Sequence, residues 1–267
     1  MLYREIPVQM KHSANASLVL YIQDYSADML VQERPMVILC PGGGYDHISV
    51  RESESEALQF LAMGCHAAVL RYTVAERYTV PLTELAFAVK YIREHAEEWH
   101  IDRSRVIVQG SSAGGHLAAS LGVFWQEKWL WEPAGADSAE EIKPDGMLLC
   151  YPVITAEIFA QRGYLGVLTG GDETLLERFS LEKSVNPHTP RAFIWHTFTD
   201  ATVPVENSLL LVGALRRHNI PTEFHLYPKG QHGLALASPL TASRDGSHMQ
   251  KECESWIALA RVWIENL

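Results

Sequence analysis

Residues 105–122 read RVIVQGSSAGGHLAASLG. A β-branched run, Arg105–Gln109, ends in Gly110-Ser111-Ser112-Ala113-Gly114-Gly115 and passes into a stretch rich in Ala and Leu. Strand, tight turn and helix, in that order, give the pattern G-x-S-x-G its meaning. So sharp a turn strains its central residue, and glycine on either side removes Cβ atoms that would collide with the strand and the helix. The reading places Ser112 at the apex, with the first N–H groups of the helix beside it. Ser111 falls one place early, and its side chain points off the apex.

Outward from this segment, short apolar runs alternate with helical patterns, the mark of a parallel sheet covered on both faces. The strand candidates are Met36–Cys40, His66–Tyr72, Val106–Gln109, Met147–Tyr151, Ala192–His196 and Glu223–Tyr227, and Ser17–Gln23 is expected to add an antiparallel edge. Leu85, Val89, Ile92, Ala96 and Trp99 share one helical face, and Val205, Leu209, Val212 and Leu215 share another. Met249, Cys253, Trp256, Ile257, Ala260 and Trp263 form a third stripe. The expected fold class is therefore α/β, a mostly parallel central sheet flanked by helices on both faces. Residues 1–267 read as a single domain with rim insertions at about 124–144 and 155–190. The second far exceeds the roughly 2–6 residues of an ordinary connection, and such insertions often cover an active site.

Composition excludes several classes. With 47% hydrophobic and 20% charged residues, the 267-residue chain has the material for a large core and is not disordered. Its net charge is −10 and its longest basic clusters are pairs such as Arg216-Arg217, which speaks against nucleic-acid and anionic-membrane partners. No apolar run approaches the roughly 18–20 residues that span a bilayer. Glu5, Gln9, Lys11 and His12 interrupt any secretion signal, so a cytoplasmic location is expected. Cys40, Cys65, Cys150 and Cys253 lack close spacing and three lie in apolar runs, which fits buried thiols. His95 and His100 are five apart and do not share a helical face. No metal and no cofactor are expected.

A serine hydroxyl is a weak nucleophile until a base takes its proton, and it also needs oxyanion donors and a group that orients the base. Pro41-Gly42-Gly43-Gly44-Tyr45 ends a central strand, and the bare N–H groups of Gly43 and Gly44 can approach an acyl oxygen closely. Asp200 and His232 each follow a strand at its carboxyl end, where open α/β sheets place ligands. The order Ser112, Asp200, His232 is nucleophile, acid, base. Among the rivals, His248 opens the last helical pattern, His196 falls within a strand, and His218 and His225 read as surface positions. Asp172 and Glu206 do not directly follow a strand. His116 reads as a supporting residue on the elbow helix, while Tyr45 and His47 are candidates to line the substrate pocket. Trp125 and Trp129, at i and i+4, could stack on sugar, with helix packing or a subunit contact as the alternative.

PGGGY, VLRYTV, IDRSRVIVQGSSAGGHLAA, YPVIT, HTFTDATVPVENS and KGQHGL occur in this order over nearly the whole chain. Together they resemble the α/β-hydrolase superfamily, and more closely the small bacterial esterase/lipase group related to hormone-sensitive lipase and acetylxylan esterases. The resemblance implies Ser112 as nucleophile, His232 as base, Asp200 as its partner, and the N–H groups of Ala113, Gly43 and Gly44 as oxyanion donors. It also implies a serine carboxylesterase acting on small, short-chain esters, acetyl foremost, of sugars or xylo-oligosaccharides. Pro41 stands where the hormone-sensitive lipase group usually has His, and Ser111 where it commonly has Asp. Both departures favour the sugar-ester branch. Two other readings share the fold: a serine peptidase of prolyl-oligopeptidase type, whose large extra domain these residues do not supply, and a non-catalytic binding protein. A homodimer is an open option. If a histidine is the base, kcat/KM should fall below about pH 6.5, the ordinary imidazole value, and a flat profile from about pH 5 to about pH 8 would remove it from that role.

Overall fold

The computed structural model describes residues 1–11, 13, 15–160, 168–169 and 173–267. Its centre is an eight-stranded sheet, with β1 (Leu2–Pro7), β2 (Ser17–Ile22), β3 (Arg34–Cys40), β4 (His66–Arg71), β5 (Ile101–Ser111), β6 (Gly146–Cys150), β7 (Arg191–Thr197) and β8 (Thr222–Tyr227). The spatial order is β1-β2-β4-β3-β5-β6-β7-β8. From β4 to β8 across the sheet all neighbours are parallel, whereas β2 is antiparallel to both β1 and β4. The expected edge strand is therefore one place in from the edge. Its outer neighbour β1 carries no apolar run, since Tyr3, Arg4 and Glu5 are exposed and only Leu2 and Ile6 are half-buried.

Alternate residues of a strand face opposite sides, so each central strand feeds two cores. Leu20, Ile38, Val108 and Ile194 pack beneath α2 (Thr79–Glu94), α3 (Ala113–Phe124) and α6 (Glu206–Arg217). Their neighbours Tyr21, Leu39, Phe193 and Trp195 face α1 (Glu54–Ala62) and α7 (Trp256–Glu265). Two helical stripes need correction. In α6 the buried face is Ser208, Leu211, Ala214 and Leu215, while Leu209 is exposed. The last helix begins only at Trp256, after a single 3-10 turn over Lys251–Ser255, and Met249 before it is exposed. All four cysteines are buried free thiols.

The two rim insertions behave differently. In the first, α4 (Lys128–Trp131) and the 3-10 turn Ala139–Ile142 pack on α2. The second contains α5 (Glu173–Phe179) and contributes Leu168 to the cleft described below; Asp172 lies outside the described residues. Among the described residues no helix is long and apolar enough to cross a membrane.

The topology fixes where a ligand can sit. From β3 the chain leaves to α1 on one face and returns as β4, while from β5 it leaves to α3 on the opposite face. Adjacent strands whose connections diverge leave a crevice at their carboxyl ends. That crevice requires α3 to lie against β3, and Gly114 makes the contact. A Cβ there would sit far inside van der Waals distance of the Cys40 and Pro41 carbonyl oxygens. Gly114→Ala should therefore destabilise the fold by more than about 2 kcal/mol in urea denaturation, since neither backbone can give way.

Candidate active site

The elbow forms because β5 turns directly into α3. Ser112 takes φ 55° and ψ −118°, a conformation costing a non-glycine residue roughly 1–3 kcal/mol. Neighbouring backbone holds it there: the Ser112 N–H donates to the Cys150 carbonyl at 3.0 Å, and the Val153 N–H donates to the Ser112 carbonyl at 3.1 Å. Ser112 is half-exposed, whereas Ser111 is fully buried with its hydroxyl 3.2 Å from Gln109 Nε2. Of the two serines, only Ser112 lines the cleft.

Two further loops from the carboxyl rim of the sheet reach Ser112. His232, beyond β8, has Nε2 at 2.7 Å from Ser112 Oγ and Nδ1 at 2.6 Å from Asp200 Oδ2. Because a carboxylate can only accept, Nδ1 carries the proton and Nε2 is left to accept from the serine. Asp200, beyond β7, accepts the N–H groups of Thr202 and Val203 on Oδ1, both at 2.9 Å. His196 Nε2 lies 3.3 Å from Asp200 Oδ2 and donates to the Val203 carbonyl at 3.0 Å, while its Nδ1 pairs with Ser208 Oγ at 2.8 Å. Burial alone would raise the Asp200 carboxyl. The bonds from His196, His232 and Val203 outweigh it and hold that carboxyl well below the usual carboxylate range.

Facing Ser112 across the crevice is the glycine loop after β3. Gly43 has φ 125°, and a Cβ there would collide with the His47 carbonyl. Among the described residues no protein acceptor takes the N–H groups of Gly43, Gly44 or Ala113. The Gly42 N–H, by contrast, donates to Glu52 Oε2 at 2.9 Å. The Tyr45 hydroxyl lies 3.0 Å from His116 Nδ1, and His116 Nε2 donates to the Phe179 carbonyl at 3.2 Å. Burial lowers His116 to about 4, with the Phe179 carbonyl opposing, so this imidazole is a neutral brace between α3 and the segment ending in α5.

These groups open onto a cleft of about 550 Å³ lined by Ser112, His232, Gly43, Gly44, Tyr45 and His47 among others. His248 also lines it, but its Nδ1 is paired with Ser243 and Ser247 at 2.8 and 2.9 Å. Trp125 must be corrected. It follows the far end of α3, roughly 18 Å of helix from Ser112, and is not among the lining residues. Its Nε1 donates to the His188 carbonyl at 3.0 Å and Lys143 lies 5.0 Å over its ring, so its function is packing. Trp129 stacks under Arg178 instead. Glu52, Tyr151, Arg51 and His196 were not legible as site residues. Only His196 left a trace, a histidine one turn before Asp200 at the end of a strand. No group of three or more metal-binding side chains occurs among the described residues.

A mostly parallel sheet that brings serine, aspartate and histidine loops together at its carboxyl rim defines an α/β-hydrolase. The BD-FAE family profile matches residues 22–215, and the chain belongs to that family. Similar solved structures include a carboxylesterase of Lactobacillus plantarum WCFS1, with 28% identity and TM-score 0.88 over 100% of this chain and 98% of that one. An acetyl ester-xyloside bifunctional hydrolase of Caldicellulosiruptor lactoaceticus shares 34% identity, with TM-score 0.84 over 98% of this chain and 96% of that one. A curated relative, endo-1,4-beta-xylanase B of Butyrivibrio fibrisolvens, is 38% identical over 213 residues, 77% of this chain. The chain spans 33% of that relative's length.

The depressed Asp200 carboxyl has a definite pH signature. Because its folded value lies below the unfolded one, near 3.9, the stability it confers is present above about pH 4 and lost as pH falls through the folded value. Asp200→Asn should flatten that acid-side loss in urea melts. It should also lower kcat at neutral pH by about 10⁴-fold, by turning His232 to the wrong tautomer.

Proposed function

We propose that this carboxylic ester hydrolase removes short acyl groups, acetyl foremost, from esterified sugars through a covalent Ser112 intermediate. The observation that carries the reading is the unbroken bond sequence Ser112 Oγ, His232, Asp200 opening onto the cleft. His232 Nε2 takes the Ser112 proton as Oγ attacks the acyl carbon, and Asp200 stabilises the imidazolium that forms. The tetrahedral oxyanion is received by the N–H groups of Gly43, Gly44 and Ala113. His232 then passes its proton to the departing alcohol oxygen as the bond to the acyl carbon breaks. Water, deprotonated by the same Nε2, then attacks the acyl carbon, and His232 returns that proton to Ser112 Oγ as its bond to the acyl carbon breaks and the acid is released.

The cleft wall supports a polyhydroxy alcohol. Asp46, His47, Ser49, Arg51, Thr202 and His248 place donors and acceptors along it, between apolar stretches that include Tyr45, Leu168 and Val203. The Caldicellulosiruptor enzyme, an acetyl ester-xyloside hydrolase by description, supports the same substrate class. Ser112→Ala should abolish labelling by a fluorophosphonate and cut kcat on p-nitrophenyl acetate by more than about 10⁴-fold. In an ester panel, acetylated xylo-oligosaccharide and p-nitrophenyl acetate should be favoured over p-nitrophenyl octanoate. Preference for octanoate over both acetyl substrates would defeat the sugar-ester reading.

A further inference from the structure

We infer that Glu52 is a positioning residue that locks the glycine loop to the loop bearing His232, with Tyr151 as the link between them. The inference rests on the proposed roles of Ser112, His232 and the glycine-loop N–H groups, and gives the buried carboxylate beside them a task.

Glu52 ends the one-turn 3-10 helix Val50–Glu52 and is only 3% exposed. A buried carboxylate must be satisfied, and here both oxygens are. Oε2 accepts the Gly42 N–H at 2.9 Å, immediately before the two free N–H groups of Gly43 and Gly44. Oε1 accepts the Tyr151 hydroxyl at 2.7 Å. That hydroxyl in turn accepts the Ala235 N–H at 2.9 Å, three residues beyond His232, and the Tyr151 ring stands edge-on to the His232 imidazole at 5.2 Å. The two halves of the site, donors on one side and base on the other, are thus joined through three side-chain hydrogen bonds.

The preceding residue reinforces the link. Arg51 Nη2 donates to the Gly233 carbonyl at 2.8 Å and Nε to the Thr241 carbonyl at 2.6 Å. Adjacent side chains of one short helix therefore hold the glycine loop with a carboxylate and the histidine loop with a guanidinium. Deeper in, Glu56 is fully buried, and burial together with the nearby Glu52 raises its carboxyl. The charge of Glu52 itself opposes a nearby oxyanion. Its value lies in accepting two bonds at a fixed angle, not in its electrostatics.

This role makes a prediction that ordinary destabilisation does not. Glu52→Ala should lower kcat on p-nitrophenyl acetate by about 10–100-fold with KM within about threefold, because the donors are displaced relative to the base. Affinity for trifluoroacetophenone, whose adduct with Ser112 places an oxyanion in the donor array, should fall by the same factor as kcat/KM. Glu52→Gln should recover most of the loss, since its amide oxygen can accept from Gly42 and its amide NH₂ can donate to the Tyr151 oxygen. Tyr151→Phe, which keeps the ring but breaks both hydroxyl bonds, should show a smaller loss in the same two quantities. It carries the test if Glu52→Ala does not fold. Folded Glu52→Ala or Tyr151→Phe with wild-type kcat and ketone affinity would overturn the inference, as would a loss confined to KM. Retention of activity and ketone binding in Ser112→Ala would instead overturn the underlying reading of the nucleophile.

Discussion

Backbone contact between α3 and β3 is the constraint on which the site depends. Without a Cβ at Gly114, the helix that follows the elbow settles against the Cys40 and Pro41 carbonyls. The loop after β3 and the turn after β5 thereby share one crevice. Gly42 is drawn close enough that a Cβ on it would reach within 3.0 Å of the Ser112 Cβ. An elbow held farther off would leave the Gly43 and Gly44 N–H groups short of the oxygen of any acyl group attached to Ser112. The strained φ of Ser112 is a local consequence of the same geometry, sustained by its two hydrogen bonds to the ends of β6 and its neighbours.

The polar chemistry is ordered in layers outward from that contact. Asp200 is surrounded by donors on both oxygens, so its negative charge stays fixed in an almost dry position and aligns His232. His196 and Ser208 brace it from below, tying the acid to α6. On the far side His116, held neutral by burial, connects Tyr45 to Phe179 without adding charge near the cleft. On that side the supporting bonds are made by neutral donors and acceptors, whereas Arg51 and Glu52 brace the opposite loops with charged groups.

What could be read from the residues followed the range of the signal. The elbow, the glycine run and the loops of Asp200 and His232 announce themselves within a few residues, through apolar strands that end in turn-forming sequence. Interactions fixed by distant partners did not. β1 is a strand because β2 pairs with it from Leu2 to Pro7, not because of any pattern of its own. Leu209 belongs to one of two overlapping stripes on α6, and only packing on β7 and β8 selects the other. Helical spacing placed Trp125 on a face but not at an end of α3. Glu52 lies in the run Ser-Val-Arg-Glu-Ser-Glu-Ser-Glu, residues 49–56, which has the look of a solvated surface; its burial emerges only when β3, β6 and the His232 loop close over it.

Leu168 lines the cleft from the connection between β6 and β7, whose described residues add no strand to the sheet. The entropic cost of such a connection grows only with the logarithm of its length, so lengthening or trimming it leaves the reactive floor intact. Evolutionary change in ester choice is therefore cheapest there. A chain that keeps this floor can alter what the cleft admits by rewriting the stretch around Leu168.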